Sequence, residues 1–120
     1  MRLLAPHENA APKKEEQVLF QINYTARAGG SVKENEASSK RALALFSKWS
    51  PPAGMDIKSF HARADGQGGT LVVETESIAV LADGPAKFLA VNEFEIVPIL
   101  DITDAVAILN EASAWTDSIS

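Results

Sequence analysis

The chain contains no cysteine, and this absence excludes disulfide bonds, thiolate metal sites and cysteine nucleophiles. It has no apolar run as long as a membrane span, and its first 16 residues lack the apolar segment of a signal peptide. Basic residues are in the minority, with 11 Lys and Arg against 16 Asp and Glu. Because a nucleic-acid backbone is bound by clustered Lys and Arg, we predict a cytoplasmic protein that binds neither nucleic acid nor a membrane.

The remaining composition is that of an ordinary globular protein. Its 120 residues are 46% hydrophobic and 22% charged, which is enough for one domain with a core of two packed layers. Residues 1–16 carry two prolines and no apolar period, so we predict a mobile N-terminal arm in which His7 is solvated. Residues 17–120 are predicted to form a single domain.

Three segments alternate between apolar and polar residues, as half-buried strands do. Gln17 to Arg27 is the first strand, with Val18, Phe20, Ile22 and Tyr24 on one face and Leu19, Gln21, Asn23 and Thr25 on the other. Met55 to Ala64 is the second strand and Thr70 to Thr75 the third. The five residues Asp65 to Gly69 between them predict a glycine-rich hairpin turn rather than a phosphate-binding loop, because a strand follows instead of a helix.

Capping signals predict the first two helices. Ser31 and Glu34 have capping-box spacing, with Asn35 as a rival cap, and Pro51 stops the helix that follows. Ser77 is a plausible cap for a helix over Ile78 to Ala82. Asp83-Gly84-Pro85 interrupts it, and Pro85 is well placed to begin a second segment through Val91.

The C-terminal third predicts one more strand and one more helix. Glu93 to Leu100 is apolar on both faces, which is typical of a strand buried on two sides. Its Pro98 lacks a backbone donor and predicts an edge strand or a bulge. Thr103 or Asp104 is expected to cap the last helix, in which Ile108, Ala112, Trp115 and Ile119 share a face.

The order of these elements predicts an α+β fold. A βαββαβ chain with right-handed crossovers forms a ferredoxin-like, four-stranded antiparallel sheet with its helices on one face, here with an added C-terminal helix. The other face would carry apolar groups, and such a patch is rarely left in water. We therefore predict a homodimer that pairs two sheets through their open faces.

A resemblance to a known family supports this fold. The residues that carry it are Phe46, Trp49, Pro51, Pro52, Gly54, Ile57, His61, Asp65-Gly66, Gly68-Gly69, Glu74-Thr75 and the strand from Phe94 to Leu100. Together they resemble the bacterial domain-of-unknown-function family 3303. The resemblance implies a small dimeric α/β-barrel domain without an assigned activity. This chain departs from the family pattern in the helix break at Asp83-Gly84-Pro85, in Val91 where a Trp is expected, and in its long N-terminal arm.

Five residues are candidates for a site. His61 on its strand is a candidate proton shuttle or ligand, and its alternative is a structural His bonded to its neighbours. Asn23 is the second catalytic candidate, because a buried amide needs partners. Trp49, Arg63 and Tyr24 are the candidate ligand-binding residues, with an alternative for Trp49 as a core anchor and for Arg63 as a cross-strand ion pair. No residue pattern predicts a metal site or a cofactor.

Three functions are consistent with these observations. We expect a homodimeric domain without an assigned activity that binds a small apolar or amphipathic molecule between sheet and helices. One alternative is a cofactor-independent or haem-linked monooxygenase or isomerase of the dimeric α/β-barrel type, with His61, Asn23 and Trp49 in the cavity. The other is a structural or regulatory interaction module, for which a dry core is the discriminating feature.

Overall fold

A computed structural model describes residues 17–119. The predicted arm of residues 1–16, with His7, lies outside the described residues. In chain order the strands are β1 (Val18–Ala26), β2 (Asp56–Ala62), β3 (Gly68–Thr75) and β4 (Asn92–Ile99). The helices are α1 (Val32–Lys48), α2 (Ile78–Leu81), α3 (Asp83–Phe88) and α4 (Ile102–Asp117).

The four strands form one antiparallel sheet in the order β2-β3-β1-β4. This order with these connections is the ferredoxin-like arrangement, so the predicted fold class is confirmed. β4 is an edge strand, as Pro98 predicts, and Pro98 lies opposite Phe20 of β1. A register shift between Ile57 and Ser59 interrupts the pairing of β2 with β3.

Alternate residues of the central strands β1 and β3 form the core. Phe20, Ile22, Leu71 and Val73 are buried on the face that α2 reaches, and Leu81 of α2 packs against them. The same alternation directs Leu19, Gln21, Asn23 and Thr25 to the opposite face, which no helix covers among the described residues. We call this second surface the open face.

Local signals decide where the helices begin. Both bonds of the capping box between Ser31 and Glu34 are present at the start of α1. The predicted interruption at Asp83-Gly84-Pro85 divides the second helical region into α2 and α3, although α3 begins at Asp83 and not at Pro85. The predicted cap of the last helix was wrong. Asp101 caps α4, because its side chain accepts a hydrogen bond from the Thr103 backbone N–H.

β4 and α4 are far more exposed than their sequences predict. β4 was expected to be buried on both faces, yet Ile96 is 38% exposed and Val97 37% exposed. Ile96 faces the helices but stays exposed because α2 and α3, at 4 and 6 residues, are too short to cover the edge of the sheet. Val97 is exposed because it lies on the open face. Within the described part of the chain, every residue of α4 except Ala105 is exposed. Across residues 17–119, no helix combines the length and apolar character that crossing a bilayer requires.

Candidate functional site

A cavity of about 660 Å³ lies between the sheet and the helices. Its floor is the helix-facing side of the sheet, and its other walls come from α1, α2 and α3. Most of its lining is aromatic or aliphatic: Ile22, Tyr24, Leu43, Phe46, Trp49, Met55, Phe60, Leu71, Leu81, Phe88, Val91 and Phe94. Ligand pockets in proteins have volumes of roughly 300–1,000 Å³ and mainly apolar walls, so this cavity has the size and character of a ligand site.

The cavity exists because α1 lies over the sheet without packing tightly against it. The residues of α1 that line the cavity begin with small ones, Ser38, Ser39 and Ala42, and only then come Leu43 and Phe46. None of the 17 residues of α1 is fully buried. Small side chains on the inner surface of a helix leave space that larger ones would fill, and here that space is the cavity.

Aromatic rings form three contacts in its walls. Phe60 meets Tyr24 and Phe46 edge to face, with ring centroids 6.2 and 5.8 Å apart. At the C-terminal end of α1, Trp49 meets Phe88 edge to face at 6.2 Å. The Trp49 indole N–H also donates to Asp83 over 2.9 Å. These contacts fix the relative positions of the aromatic rings in the walls.

Tyr24 can lie over β3 because Gly69 has no side chain. A Cβ atom at Gly69 would collide with the Tyr24 hydroxyl and with the His61 carbonyl oxygen. The ring of Tyr24 therefore occupies the space above the Gly69 backbone. Among the described residues, no side chain or backbone group bonds to this hydroxyl. Burial raises the pKa of Tyr24, so the phenol stays protonated and remains a hydrogen-bond donor.

Arg27, directly after β1, lies at the rim of the cavity. Its Nε donates to the Leu89 carbonyl oxygen over 2.9 Å, and its Nη1 pairs with Glu93 over 3.2 Å. The side chains of this ion pair are 41% and 66% exposed, so the pair is weak. Of the described residues that line the cavity, Arg27 alone carries a charge.

On the open face, Asn23 lies at the centre of a hydrogen-bond network. Its Oδ1 accepts from Gln21 and from the Thr70 hydroxyl, each over 2.9 Å. Its Nδ2 donates to Glu95 over 3.0 Å. Neighbours on β1, β3 and β4 therefore supply the hydrogen-bond partners that a buried amide at Asn23 needs. The hydrogen-bonding capacity of Asn23 is largely used.

His61 shares one row of the open face with Asn23. The row runs His61, Thr70, Asn23 and Glu95 across the four strands. With neighbouring strands about 4.8 Å apart, the backbones of His61 and Asn23 are roughly 10 Å apart. Both residues line a recess of about 220 Å³ on this face, together with Thr25, Arg63 and Thr70.

Arg63 pairs with Asp65 over 2.5 Å at the tip of the hairpin. The Gln67 backbone N–H and then Arg63 hold the pKa of Asp65 below its ordinary value. This ion pair lies within the turn, two residues apart, and is not the predicted cross-strand pair. The role of Arg63 in binding an anion stays a prediction.

The structure divides the predicted site residues between the two faces of the sheet. Trp49 lines the cavity, and His61, Asn23 and Arg63 line the recess on the open face. Tyr24 contributes to the lining of both. The arrangement with His61, Asn23 and Trp49 in one cavity therefore does not occur, because the sheet separates them. This separation does not favour the oxygenase alternative, and the catalytic roles of His61 and Asn23 stay predictions.

Arg27, Phe60 and Phe88 line the cavity without having been singled out from the sequence. Strict alternation along β2 would put Phe60 on the face opposite Ile57, and only the register shift between Ile57 and Ser59 brings both residues to the helix-facing side. The sequence gives no sign that Arg27 lies at a cavity, because a cation directly after a strand is common. Only the packing of the connection between α3 and β4 brings Arg27 to the rim. No group of His, Asp and Glu within residues 17–119 has the arrangement of a metal site.

Comparisons with known proteins assign a family and no activity. The sequence model of the family described as Domain of unknown function (DUF3303) matches residues 18–113. No curated protein matches the chain significantly.

Two solved structures resemble the chain weakly. One is an asparagine-to-alanine variant of SnoaB, a cofactor-independent oxygenase from Streptomyces nogalater: identity is 14%, the alignment covers 72% of this chain and 93% of SnoaB, and the TM-score is 0.36. The other is a dimeric protein of unknown function and ferredoxin-like fold from Bacteroides fragilis. It is 18% identical, with 72% of this chain and 97% of that one covered and a TM-score of 0.36. At these values neither structure bears on the function of this chain.

Proposed function

The chain belongs to the DUF3303 family, whose description assigns no activity, and from the geometry of the site we propose that it binds a small apolar or amphipathic molecule between α1 and the sheet. The observation that supports this function is the cavity of about 660 Å³ with its aromatic walls. An apolar space of this size is costly to leave open, because its lining atoms lack packing partners. A bound molecule would supply those partners, and Tyr24 would offer it one hydrogen bond.

A neutral fluorescent probe tests this proposal. N-phenylnaphthylamine emits strongly only in apolar surroundings, so its emission should rise saturably when it is titrated with the wild-type protein. Ala42→Trp places a large side chain into the cavity from α1 and should abolish most of that rise. Ala44→Trp is the matched control, since Ala44 is an exposed position of the same helix, and it should bind the probe as the wild type does.

The outcome that contradicts the proposal is equally clear. A wild-type protein that leaves the emission of the probe unchanged has no accessible apolar cavity in solution. Equal binding by the wild type and by a folded Ala42→Trp variant would locate the probe elsewhere. Circular dichroism in the far ultraviolet checks that each variant is folded.

Self-association is the second part of the proposed function. The half of the open face at the N-terminal end of β1 is mainly apolar towards β4, with Leu19 opposite Ile99, and Val72 and Val97 flanking Gln21. On the β3 side of Leu19 lies Glu74, which pairs with Lys58. α4 begins near this end, with two residues between it and Ile99, and exposes 66% of Leu109 and 65% of Trp115. We propose that a second copy covers these surfaces in a twofold dimer, because apolar area of this extent gains free energy when it is removed from water.

Native mass spectrometry at tens of micromolar tests the dimer. The wild type should appear at twice the chain mass of 12.8 kDa. Val97→Glu combined with Leu109→Glu should appear as a monomer, and Lys40→Glu on α1, which reverses a charge away from these surfaces, should remain dimeric. A monomeric wild type would overturn the dimer without affecting the ligand proposal.

A further inference from the structure

The charge pattern of the cavity narrows the class of ligand. The whole chain has 16 acidic side chains against 11 basic ones. Even so, the described residues that line the cavity include no carboxylate and a single cation, Arg27. The lining itself therefore carries only positive charge in a chain of net charge -5, and the carboxylate paired with Arg27, that of Glu93, lies outside the lining and is 66% exposed. Such a cavity favours an anion over a cation.

Arg27 has donors to spare. A guanidinium carries five N–H groups. Among the described residues, Leu89 and Glu93 accept one each. The remaining donors are suited to a carboxylate, which a guanidinium can bind through two parallel hydrogen bonds.

The position of Arg27 at the rim decides where an anionic group would lie. The interior is lined mainly by apolar side chains, and an ionised group placed there would lose hydration without gaining polar partners. At the rim the group stays partly in water while the apolar body enters the cavity. The exposed pair with Glu93 is weak enough to be exchanged for a ligand carboxylate.

We infer that the ligand is an amphipathic acid, an aromatic or aliphatic body with a single carboxylate, whose body fills the cavity while Arg27 binds the carboxylate at the rim. This inference rests on the proposed function, because it assigns a charge class to the ligand of the same cavity. It gives Arg27 the role of a specificity-determining residue. Glu93 then acts as a competing partner that the ligand displaces.

A matched pair of fluorescent ligands tests the inference. Pyrenebutyric acid is ionised at pH 7, whereas pyrenebutanol has the same ring and chain with a neutral end. The wild type should bind the acid about tenfold more tightly than the alcohol. Arg27→Gln should bring the two dissociation constants to within about twofold of each other, with the affinity for the alcohol unchanged.

A second variant keeps the test valid if Arg27→Gln fails to fold. Glu93→Gln removes the competing carboxylate and leaves Arg27 in place, so it should bind the acid about two- to threefold more tightly than the wild type does. Glu95→Gln, on the open face of the same strand, is the control for the loss of one negative charge and should leave the preference for the acid as in the wild type.

The outcomes separate this inference from the function on which it rests. Equal binding of acid and alcohol by the wild type would overturn the anionic class while leaving the apolar cavity supported. If Arg27→Gln still binds the acid about tenfold more tightly than the alcohol, Arg27 does not bind the carboxylate. If neither pyrene compound nor the neutral probe binds, the ligand function itself is wrong, and the inference falls with it.

Discussion

On one face of the sheet, Tyr24 and its apolar neighbours line a cavity of about 660 Å³. On the other face, one residue earlier on the same strand, the side chain of Asn23 takes part in three hydrogen bonds and borders a recess of about 220 Å³. The two surfaces are built from alternate residues of the same strands. One face has unfilled apolar space and a free donor, and the other has its central polar groups already paired. This contrast is why we assign ligand binding to the helix-facing side.

The largest expected effect on the free energy of unfolding comes from a comparison of two neighbouring valines. Val73 is fully buried, with 0% exposed, whereas Val72 is half-buried on the open face. Val73→Ala should lower the free energy of unfolding by about 2–3 kcal/mol, through lost burial and the space left behind. Val72→Ala should cost less than about 1 kcal/mol.

Urea denaturation at two protein concentrations measures both valine variants. The second concentration separates the stability of the chain from that of the dimer. Equal losses for the two variants would mean that the open face is as well packed as the core, and the contrast between the faces would fail.

Asn23→Asp is expected to have an intermediate effect on the free energy of unfolding. This change keeps the shape of the side chain but turns the donor that faces Glu95, at 3.0 Å, into a second carboxylate. Repulsion at this partly exposed position should cost about 1 kcal/mol at pH 7. Adding Glu95→Gln restores a donor across the pair and should recover most of that loss in a double-mutant cycle.

The same cycle has a clear negative outcome. If the two substitutions add without any coupling, the Asn23–Glu95 bond does not hold the open-face network together. In that case Asn23 would be available for the catalytic role that its sequence position suggested.

The smallest expected effect concerns a polar contact on the helix-facing side. The Trp49 indole N–H, and then Lys87, lower the pKa of Asp83 from its ordinary value of 3.8. A carboxyl whose pKa is lower in the folded state adds stability at pH values above its unfolded pKa. That contribution is lost as the pH falls through the folded pKa.

Trp49→Phe should therefore cost up to about 1 kcal/mol at pH 7 and progressively less as the pH falls below about 4, because it removes the N–H donor and keeps an aromatic ring. Denaturation followed by circular dichroism across this pH range measures the difference. A cost of the same size at pH 7 and at pH 3 would attribute the whole effect to lost packing of the indole.

Sequence reasoning was most successful where the signal is local. The Ser31–Glu34 capping box, the helix break at Asp83-Gly84-Pro85 and the edge position implied by Pro98 each depend on the chemistry of a few neighbouring residues, and each is present. The predicted cap of α4, Thr103 or Asp104, was two or three residues too late. Asp101, Thr103 and Asp104 are all good capping residues, and the sequence does not say which side chain accepts from the backbone.

The candidate site was harder to predict because its residues are distant in sequence. Alternation placed Asn23 and Tyr24 on opposite faces, but it did not say which face the helices cover, and a shift of one residue in register reverses the answer. His61 was associated with Trp49 through residue type alone, and the sheet separates them. Arg27 carried no signal, since its neighbours Leu89 and Glu93 lie more than sixty residues away along the chain.

The sequence by itself determined the order of strands and helices, the antiparallel ferredoxin-like topology and the two-residue alternation that makes one face of β1 apolar. These follow from turn chemistry, capping and hydrophobic period, which act over a few residues. Only the tertiary structure decided that α1 leaves a cavity over Tyr24, that Arg27 reaches its rim and that α4 extends away from its own sheet. Each of these depends on how closely distant elements pack, and packing is set by the volumes of side chains that meet only in the folded chain.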